Sequence, residues 1–204
     1  MSRRPFESPL WLASGSDRRR RMLAEAMVPA TVRPAGIDDA DVVRGAVGPR
    51  QWVMALAWMK ARWVADRLRD EGRHGTVLGA DTLCVLGDRL LGKPENAAAA
   101  RAMLAILRDA THETMTGVCL LDVDGGERVL FVESAGVRWG WISDDELDRY
   151  VASEAWRGKA GAYNLSERVE AGWPIMCEGD PTTVMGLPMR RLSPWLDELV
   201  GAGS

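Results

Sequence analysis

Histidine, tyrosine, phenylalanine and cysteine are all scarce in this 204-residue chain, which carries two, two, two and three of them. His74 and His112 lie far apart with no cysteine beside either, so the sequence holds no zinc-ligand spacing. Cys84, Cys119 and Cys177 are odd in number, widely separated and set among apolar residues. That is the pattern of buried free thiols in a reducing compartment, not of a disulfide framework. The net charge is only -3, which argues against a general nucleic-acid binder and leaves local binding of one nucleotide open. No run approaches the ~20 apolar residues of a membrane span. The basic stretch MSRRPFESPL has no apolar run behind it, so no signal peptide and no membrane partner are expected, and the cytoplasm is the simplest address. Also missing are a G-x-x-x-x-G-K-[ST] loop, a G-x-G-x-x-G opening and a G-x-S-x-G elbow. Their absence removes Walker-type, dinucleotide-binding and serine-hydrolase readings.

What is present suits one globular domain over 1–204, with 47% hydrophobic and 27% charged residues. A chain of this size can bury a core without disulfides or a structural metal. Leu10 to Ala13 reads as a strand, and Ser14-Gly15-Ser16 as a turn. A helix follows from about Asp17 to Met27 with Ser16 as its cap. Pro34 to Pro49 reads as a loop with an acidic knot at Asp38, Asp39 and Asp41. From Gln51 to Asp70 the pattern is helical, with Trp52, Leu56, Met59 and Trp63 forming one apolar stripe. Among nine tryptophans, Trp52 and Trp63 fit that face better than a base-stacking platform. Val77 to Leu86 reads as a buried strand, returning through Gly87-Asp88 into a hairpin at Arg89 to Leu91. Asn96 caps a helix through Leu107; strands follow at Thr114 to Val123 and Arg128 to Glu133; Ser143 to Glu146 forms a capping box for a helix to about Ser153. Strands and helices alternate throughout, which predicts an α/β or α+β fold with a mixed sheet.

Four features invite chemistry. Arg18 to Arg21 place four cations in the first turns of a helix, where the macrodipole favours anions. Either a bound phosphate reverses that penalty, with Ser14, Ser16 and free backbone N–H groups converging on it, or the run is a solvated face partly compensated by Asp17. Asp81 stands inside the apolar strand, where a lone buried carboxylate costs several kcal/mol unless it is paired, metal-bound or open to a cleft. The alternative is a strand-end position capping a loop. Lys60 flanks the tryptophan stripe and either snorkels along it or points into a cleft beside the sheet. Lys93, in Leu91-Gly92-Lys93-Pro94, is held in a stiff turn that suits a phosphate contact or simple turn chemistry.

Taken in order, the segments LASGSDRRR (Leu12 to Arg20), LAWMKARWVAD (Leu56 to Asp66), GADTLCVL (Gly79 to Leu86), LGKP (Leu91 to Pro94), GKAGAY (Gly158 to Tyr163) and GLP (Gly186 to Pro188) closely resemble the Maf family. The resemblance runs from about Leu10 to Leu192. It implies a nucleoside-triphosphate pyrophosphatase with a mixed twisted sheet flanked by helices, two lobes around a central cleft, usually as a homodimer. It implies Asp81 as the general base for water. Lys60, Lys93, Ser14, Ser16 and Arg19 would hold the phosphates, and Arg18 and Thr82 would lie near the base or sugar. A divalent cation (Mg²⁺, Mn²⁺ or Co²⁺) would be shared by Asp81 and Asp39. The substrate would be a small nucleoside triphosphate, cut to the monophosphate and pyrophosphate. A nucleotide-binding regulator of cell division with little turnover is the alternative that the same resemblance carries.

Three departures from the family pattern stand out. Asp17 replaces the usual proline. Asp39 replaces a glutamate and is shorter by one methylene, about an ångström of reach. Asn164-Leu165-Ser166-Glu167 replaces Gly-Ile-Gln-Gly, so Ser166 stands where the family has a specificity glutamine and lacks its two-ended amide. Arg18 with Thr82 resembles the branch that takes dTTP and UTP, but Ser166 fits neither that branch nor the one for 7-methyl-GTP. Non-standard or modified triphosphates therefore stand beside dTTP and UTP as expected substrates.

Overall fold

The computed structural model describes residues 6–37, 44–124 and 127–201. In chain order the elements are β1 (Leu10–Leu12), α1 (Asp17–Glu25), β2 (Ala30–Val32), α2 (Pro49–Asp70), β3 (Thr76–Leu86), β4 (Arg89–Leu91) and α3 (Ala97–Leu107). Then follow β5 (Thr111–Asp122), β6 (Arg128–Trp139), α4 (Asp144–Ala152), a 3-10 turn (Ala160–Ala162), α5 (Leu165–Glu170), β7 (Ile175–Glu178), α6 (Pro181–Met185) and α7 (Met189–Gly201). The strands form one seven-stranded mixed sheet in the order β2-β1-β3-β5-β6-β7, with β4 paired to β3. Strand β1 is parallel to both β2 and β3, whereas β3–β4 and β6–β7 are antiparallel. The fold is therefore the expected α/β class with a mixed sheet flanked by helices.

Contacts divide the chain into two compact units. One comprises Met1–Asp81, Thr116–Glu133 and Gly186–Ser204; the other comprises Thr82–Met115 and Ser134–Met185. Strands β3, β5 and β6 contribute to both.

In the first unit the parallel strands β1, β2 and β3 are joined by α1 and α2, the long crossovers that parallel pairing requires. Proline at the first position of α2, behind Gly48 at the cap, starts that helix where a missing N–H costs nothing. Its buried face is Val53, Leu56, Ala57, Ala61, Val64, Ala65 and Leu68. Of the expected stripe only Leu56 is fully buried, and Trp52, Met59 and Trp63 lie at the flank. The reason is distance. A Cβ added at Gly79 on β3 would stand 2.3 Å from Ala57 O and 2.8 Å from Ala61 N, and one at Gly117 on β5 would stand 2.4 Å from Val53 O. The helix backbone rests directly on two strand glycines at Val53, Ala57 and Ala61, which leaves no room there for a tryptophan.

The second unit packs its own core around Trp139, with Leu104, Leu107, Leu147, Trp156 and Trp173 buried against it. Asn96 caps α3 as expected, its Oδ1 accepting from Ala99 N at 2.9 Å. Only half of the capping box of α4 forms. Ser143 Oγ accepts from Glu146 N at 3.2 Å, while the Glu146 carboxylate accepts from Trp173 Nε1 at 3.0 Å instead of returning to the cap.

Three local readings need correction. Strand β2 has no counterpart in the sequence reading, because a three-residue strand between Pro29 and Pro34 gives too short a signal; it exists by pairing with β1. Strand β6 continues past Glu133 to Trp139, because its second half forms a ladder with β7, from Gly136 opposite Glu178 to Trp139 opposite Ile175. Ser16 occupies the cap position of α1, but its side chain makes no cap hydrogen bond.

Gly79→Ala is expected to lower stability by ~2–3 kcal/mol, because its methyl meets helix backbone rather than a movable side chain. Urea unfolding measures this, and a change below ~0.5 kcal/mol would mean that α2 does not sit where described.

Candidate active site

Asp81 lies in the middle of β3, not at its end, and is 5% exposed. It stands two residues beyond Gly79 and so on the same face of the strand, the face that α2 covers. Lys60, the residue before Ala61 on α2, reaches it: Lys60 Nζ donates to Asp81 Oδ1 at 2.6 Å, with the two side chains 11% and 7% exposed. The strand-end reading of Asp81 is thereby removed, and the cation of Lys60 points inward instead of snorkelling. A pair this buried does not gain stability over an apolar pair of the same shape. A lone member left behind, however, costs several kcal/mol.

The turn between β1 and α1 forms a second cluster in the same unit. Ala13 N donates to Leu78 O at 2.9 Å, so the chain leaves the sheet beside β3. Ser14 is buried, and its Oγ accepts from Ser16 N at 3.2 Å and from Arg19 Nη1 at 2.9 Å. Arg19 Nε also donates to Gly186 O at 2.9 Å, tying the turn to the Gly186-Leu187-Pro188 segment. The four arginines divide into two kinds. Arg20 pairs with Asp17 at 2.9 Å on the surface and Arg21 is exposed, while Arg18 and Arg19 are half-buried. The solvated reading therefore describes Arg20 and Arg21, while Arg18 and Arg19 are drawn into the protein. The turn and the N-terminus of α1 lie beyond the C-terminal end of parallel β1, where open α/β sheets bind ligands.

Three of the other expected residues belong to the second unit. Thr82 follows Asp81 on β3 and is half-buried; Lys93 is exposed in the turn after β4. Gly161 N donates to Gly92 O at 3.1 Å, so the turn that carries Lys93 is fixed to the Ala160–Ala162 turn. Ser166 lies in the first turn of α5, and its hydroxyl donates to Asn164 Oδ1 at 2.9 Å. Asn164 Nδ2 donates to Glu167 Oε1 at 3.0 Å, and Lys159 Nζ forms an ion pair with the other oxygen of that carboxylate. Glu167, at a position where the family pattern has glycine, therefore takes up Lys159 and orders the start of α5. Asp39 lies outside the described residues.

The structure thus joins Lys60 to Asp81, and Ser14, Ser16 and Arg19 to one another. Gly79 and Glu167 were not anticipated. An isolated glycine inside an apolar strand pattern does signal close backbone approach, so Gly79 was within reach of the sequence. A lysine and a glutamate eight positions apart across a turn give no such signal. Among the described residues no group of three or more His, Cys, Asp or Glu is placed to hold a metal ion, and no helix is long and apolar enough to cross a membrane.

The Lys60–Asp81 pair is open to a double-mutant cycle in urea. Lys60→Met alone should lose ~3–5 kcal/mol, and Lys60→Met with Asp81→Asn less than the sum of the two singles. Additive losses would show that the two side chains are not coupled.

Comparison with known proteins matches residues 9–199 to the family model described as Maf-like protein. A dTTP/UTP pyrophosphatase of Moorella thermoacetica is 40% identical over 185 residues, covering 89% of this chain and 90% of that protein. Another from Salinibacter ruber is 39% identical over 185 residues, covering 90% and 87%. A third, from Ruminiclostridium cellulolyticum, is 34% identical over 188 residues, covering 92% and 94%.

Proposed function

Because this chain belongs to the Maf-like protein family, we propose that it is a hydrolase of acid anhydrides, cleaving a nucleoside triphosphate between the α- and β-phosphates. The observation that carries the reading is the buried Lys60–Asp81 pair on β3. A carboxylate held in mid-strand by an ammonium is an expensive arrangement for a merely structural role. In the proposed reaction a water oxygen bonds to the α-phosphorus and its proton passes to the Asp81 carboxylate. The bond from the α-phosphorus to the bridging oxygen breaks, and pyrophosphate leaves with the nucleoside monophosphate as the other product.

Each residue has a physical part in this. Asp81 is the general base, and Lys60 offsets its charge and that of the phosphates around it. Ser14 Oγ already accepts two hydrogen bonds, from Arg19 and from Ser16 N, so its own proton is left to donate, in this reading to a phosphate oxygen. Arg19 thereby acts largely through Ser14. Ser16, the first N–H groups of α1 and Arg18 supply further donors to an anion. Lys93 is proposed as a phosphate contact, and Thr82 and Ser166 as contacts to the nucleoside, on the family resemblance. Phosphoryl transfer is mostly positioning and charge neutralisation, which a set of hydroxyls, arginines and lysines provides.

A divalent cation (Mg²⁺, Mn²⁺ or Co²⁺) fits the donor chemistry. Hard cations of the Mg²⁺ type are held by one or two carboxylates plus substrate phosphates, and Asp81 supplies one such carboxylate, with Asp39 proposed as the second. Bound there, the ion would neutralise phosphate charge. The preferred substrates are proposed to be dTTP and UTP, the name carried by relatives 34–40% identical, in keeping with Arg18 and Thr82. Three free thiols suit a reducing cytoplasm as the site of action. Both units are read as one catalytic domain, since the family match runs through both.

The deciding experiment is pyrophosphate release across standard and modified nucleoside triphosphates with Mg²⁺, wild type beside Asp81→Asn, well below either melting temperature. Release is expected with dTTP and UTP foremost, and Asp81→Asn should lower kcat by ~10²–10⁴ while remaining folded. Near wild-type turnover in that variant would remove Asp81 as the base, and saturable binding without products would replace the enzyme by a nucleotide-binding regulator. The family resemblance also implies a homodimer. Light scattering should give twice the chain mass, and a single chain mass would refute it.

A further inference from the structure

One buried polar group in the second unit has no part in the reaction proposed above. His112, the second residue of β5, is 2% exposed, and its Nε2 lies 2.9 Å from the Tyr163 hydroxyl. The Tyr163 ring stands edge-on to His112, with centroids 5.7 Å apart at 89°, and edge-on to Trp139 at 4.9 Å and 88°. His112 Nδ1 is buried with no hydrogen-bond partner among the described residues. Burial lowers the imidazole to about 4, so at neutral pH the ring carries a single N–H. Placing that proton on Nδ1 would bury an orphan donor at a cost of ~1–3 kcal/mol. Placing it on Nε2 leaves Nδ1 a buried orphan acceptor instead, and with either tautomer Nε2 and the Tyr163 hydroxyl share one hydrogen bond.

Tyr163 closes a strained turn. Gly161 and Ala162 both have positive φ, 71° and 64°. The alanine at least is there against its preference. A Cβ at Gly161 would meet Cys84 Sγ at 3.2 Å and the Tyr163 ring at 3.3 Å, so close packing as well as φ favours glycine there. Ala162 N donates to Lys159 O at 3.0 Å, Tyr150 Oη donates to Ala162 O at 3.0 Å, and Gly161 N donates to Gly92 O at 3.1 Å. The last bond grips the residue before Lys93. With Tyr163 bonded to His112 at its far end, the turn is tied at both ends, to His112 and to the backbone that precedes Lys93.

We propose that His112 is a positioning residue for Lys93: through the Tyr163 hydroxyl it holds the Ala160–Ala162 turn, and through Gly161 N–H that turn fixes Gly92 and the lysine after it. The part played by Lys93 rests on the function proposed above; the mooring itself does not. An imidazole suits the task because it is a rigid hydrogen-bonding ring that stays neutral in an aromatic cluster. A leucine would fill the space and leave the Tyr163 hydroxyl without that partner. Glutamine can place an amide N–H near the position of Nε2 and should restore the bond.

The test combines kinetics with amide exchange on the full chain. His112→Leu is expected to raise KM for the triphosphate by about tenfold with kcat within about threefold, on the scale that a displaced contact costs. His112→Gln should recover most of the loss. In a Lys93→Ala background, His112→Leu should add little further to KM. The Gly161 amide should exchange faster in His112→Leu than in wild type, and close to the wild-type rate in His112→Gln. Tyr163→Phe deletes only the hydroxyl and gives the same readouts should His112→Leu fail to fold. Unchanged KM with unchanged Gly161 exchange would overturn the proposal, as would KM losses that add in full to those of Lys93→Ala. If the wild type releases no pyrophosphate from any triphosphate, the proposed function falls, and Gly161 exchange alone still decides whether His112 moors the turn.

Discussion

The arrangement of the first unit depends on how closely α2 approaches the sheet. Glycines at 79 and 117 remove the two side chains that would hold the helix off, and Ala57, Ala61 and Val53 meet strand backbone. At that distance Lys60 reaches Asp81, two residues beyond Gly79 on the covered face. A helix standing off by the thickness of a leucine would leave the same lysine in solvent and the same aspartate buried without a partner. The close packing and the buried pair are therefore one constraint. The apolar surface removed by α2 supplies stability, and the ion pair uses part of it to hold two charges out of water.

Around that pair the charges are sorted by exposure. Of the arginines opening α1, Arg20 is compensated by Asp17 on the surface, and Arg19 is spent on Ser14 and the Gly186 carbonyl. The consequence is a turn held by its own hydrogen bonds. Oriented donors that need not reorganise are worth more to a developing charge than mobile ones. The macrodipole penalty of a basic N-terminus is tolerated where an anion is expected to offset it.

The second unit solves a different problem, that of holding an exposed turn still. Its tools are buried aromatics and polar ties: Tyr150 on Ala162, His112 on Tyr163, Gly161 on Gly92. Where the family pattern has Gly-Ile-Gln-Gly, this chain instead builds a network of its own, with Ser166 and Glu167 both bonded to Asn164 and Lys159 paired to Glu167. A serine already donating to Asn164 presents lone pairs rather than a glutamine's amide.

Much of this was legible in the residues alone. The fold class, the hairpin at Gly87-Asp88, the caps at Asn96 and Ser143 and the strand that buries Asp81 all follow from local rules. Strand period, turn chemistry and capping act between residues a few positions apart. The ordered motifs pointed to the same set of groups. Other features had no local cause. β2 and the second half of β6 exist only because a neighbouring strand completes their hydrogen bonds, and the tryptophan stripe was displaced from the core by a helix seated on glycine. Whether Lys60 snorkelled or turned inward, and which arginines of the run were solvated, depended on residues twenty to well over a hundred positions away. Sequence determined which groups were available, because propensity is set within a turn or two of chain. Tertiary structure decided which of them meet, because contact between distant segments depends on packing distance, and that is fixed only when the core closes.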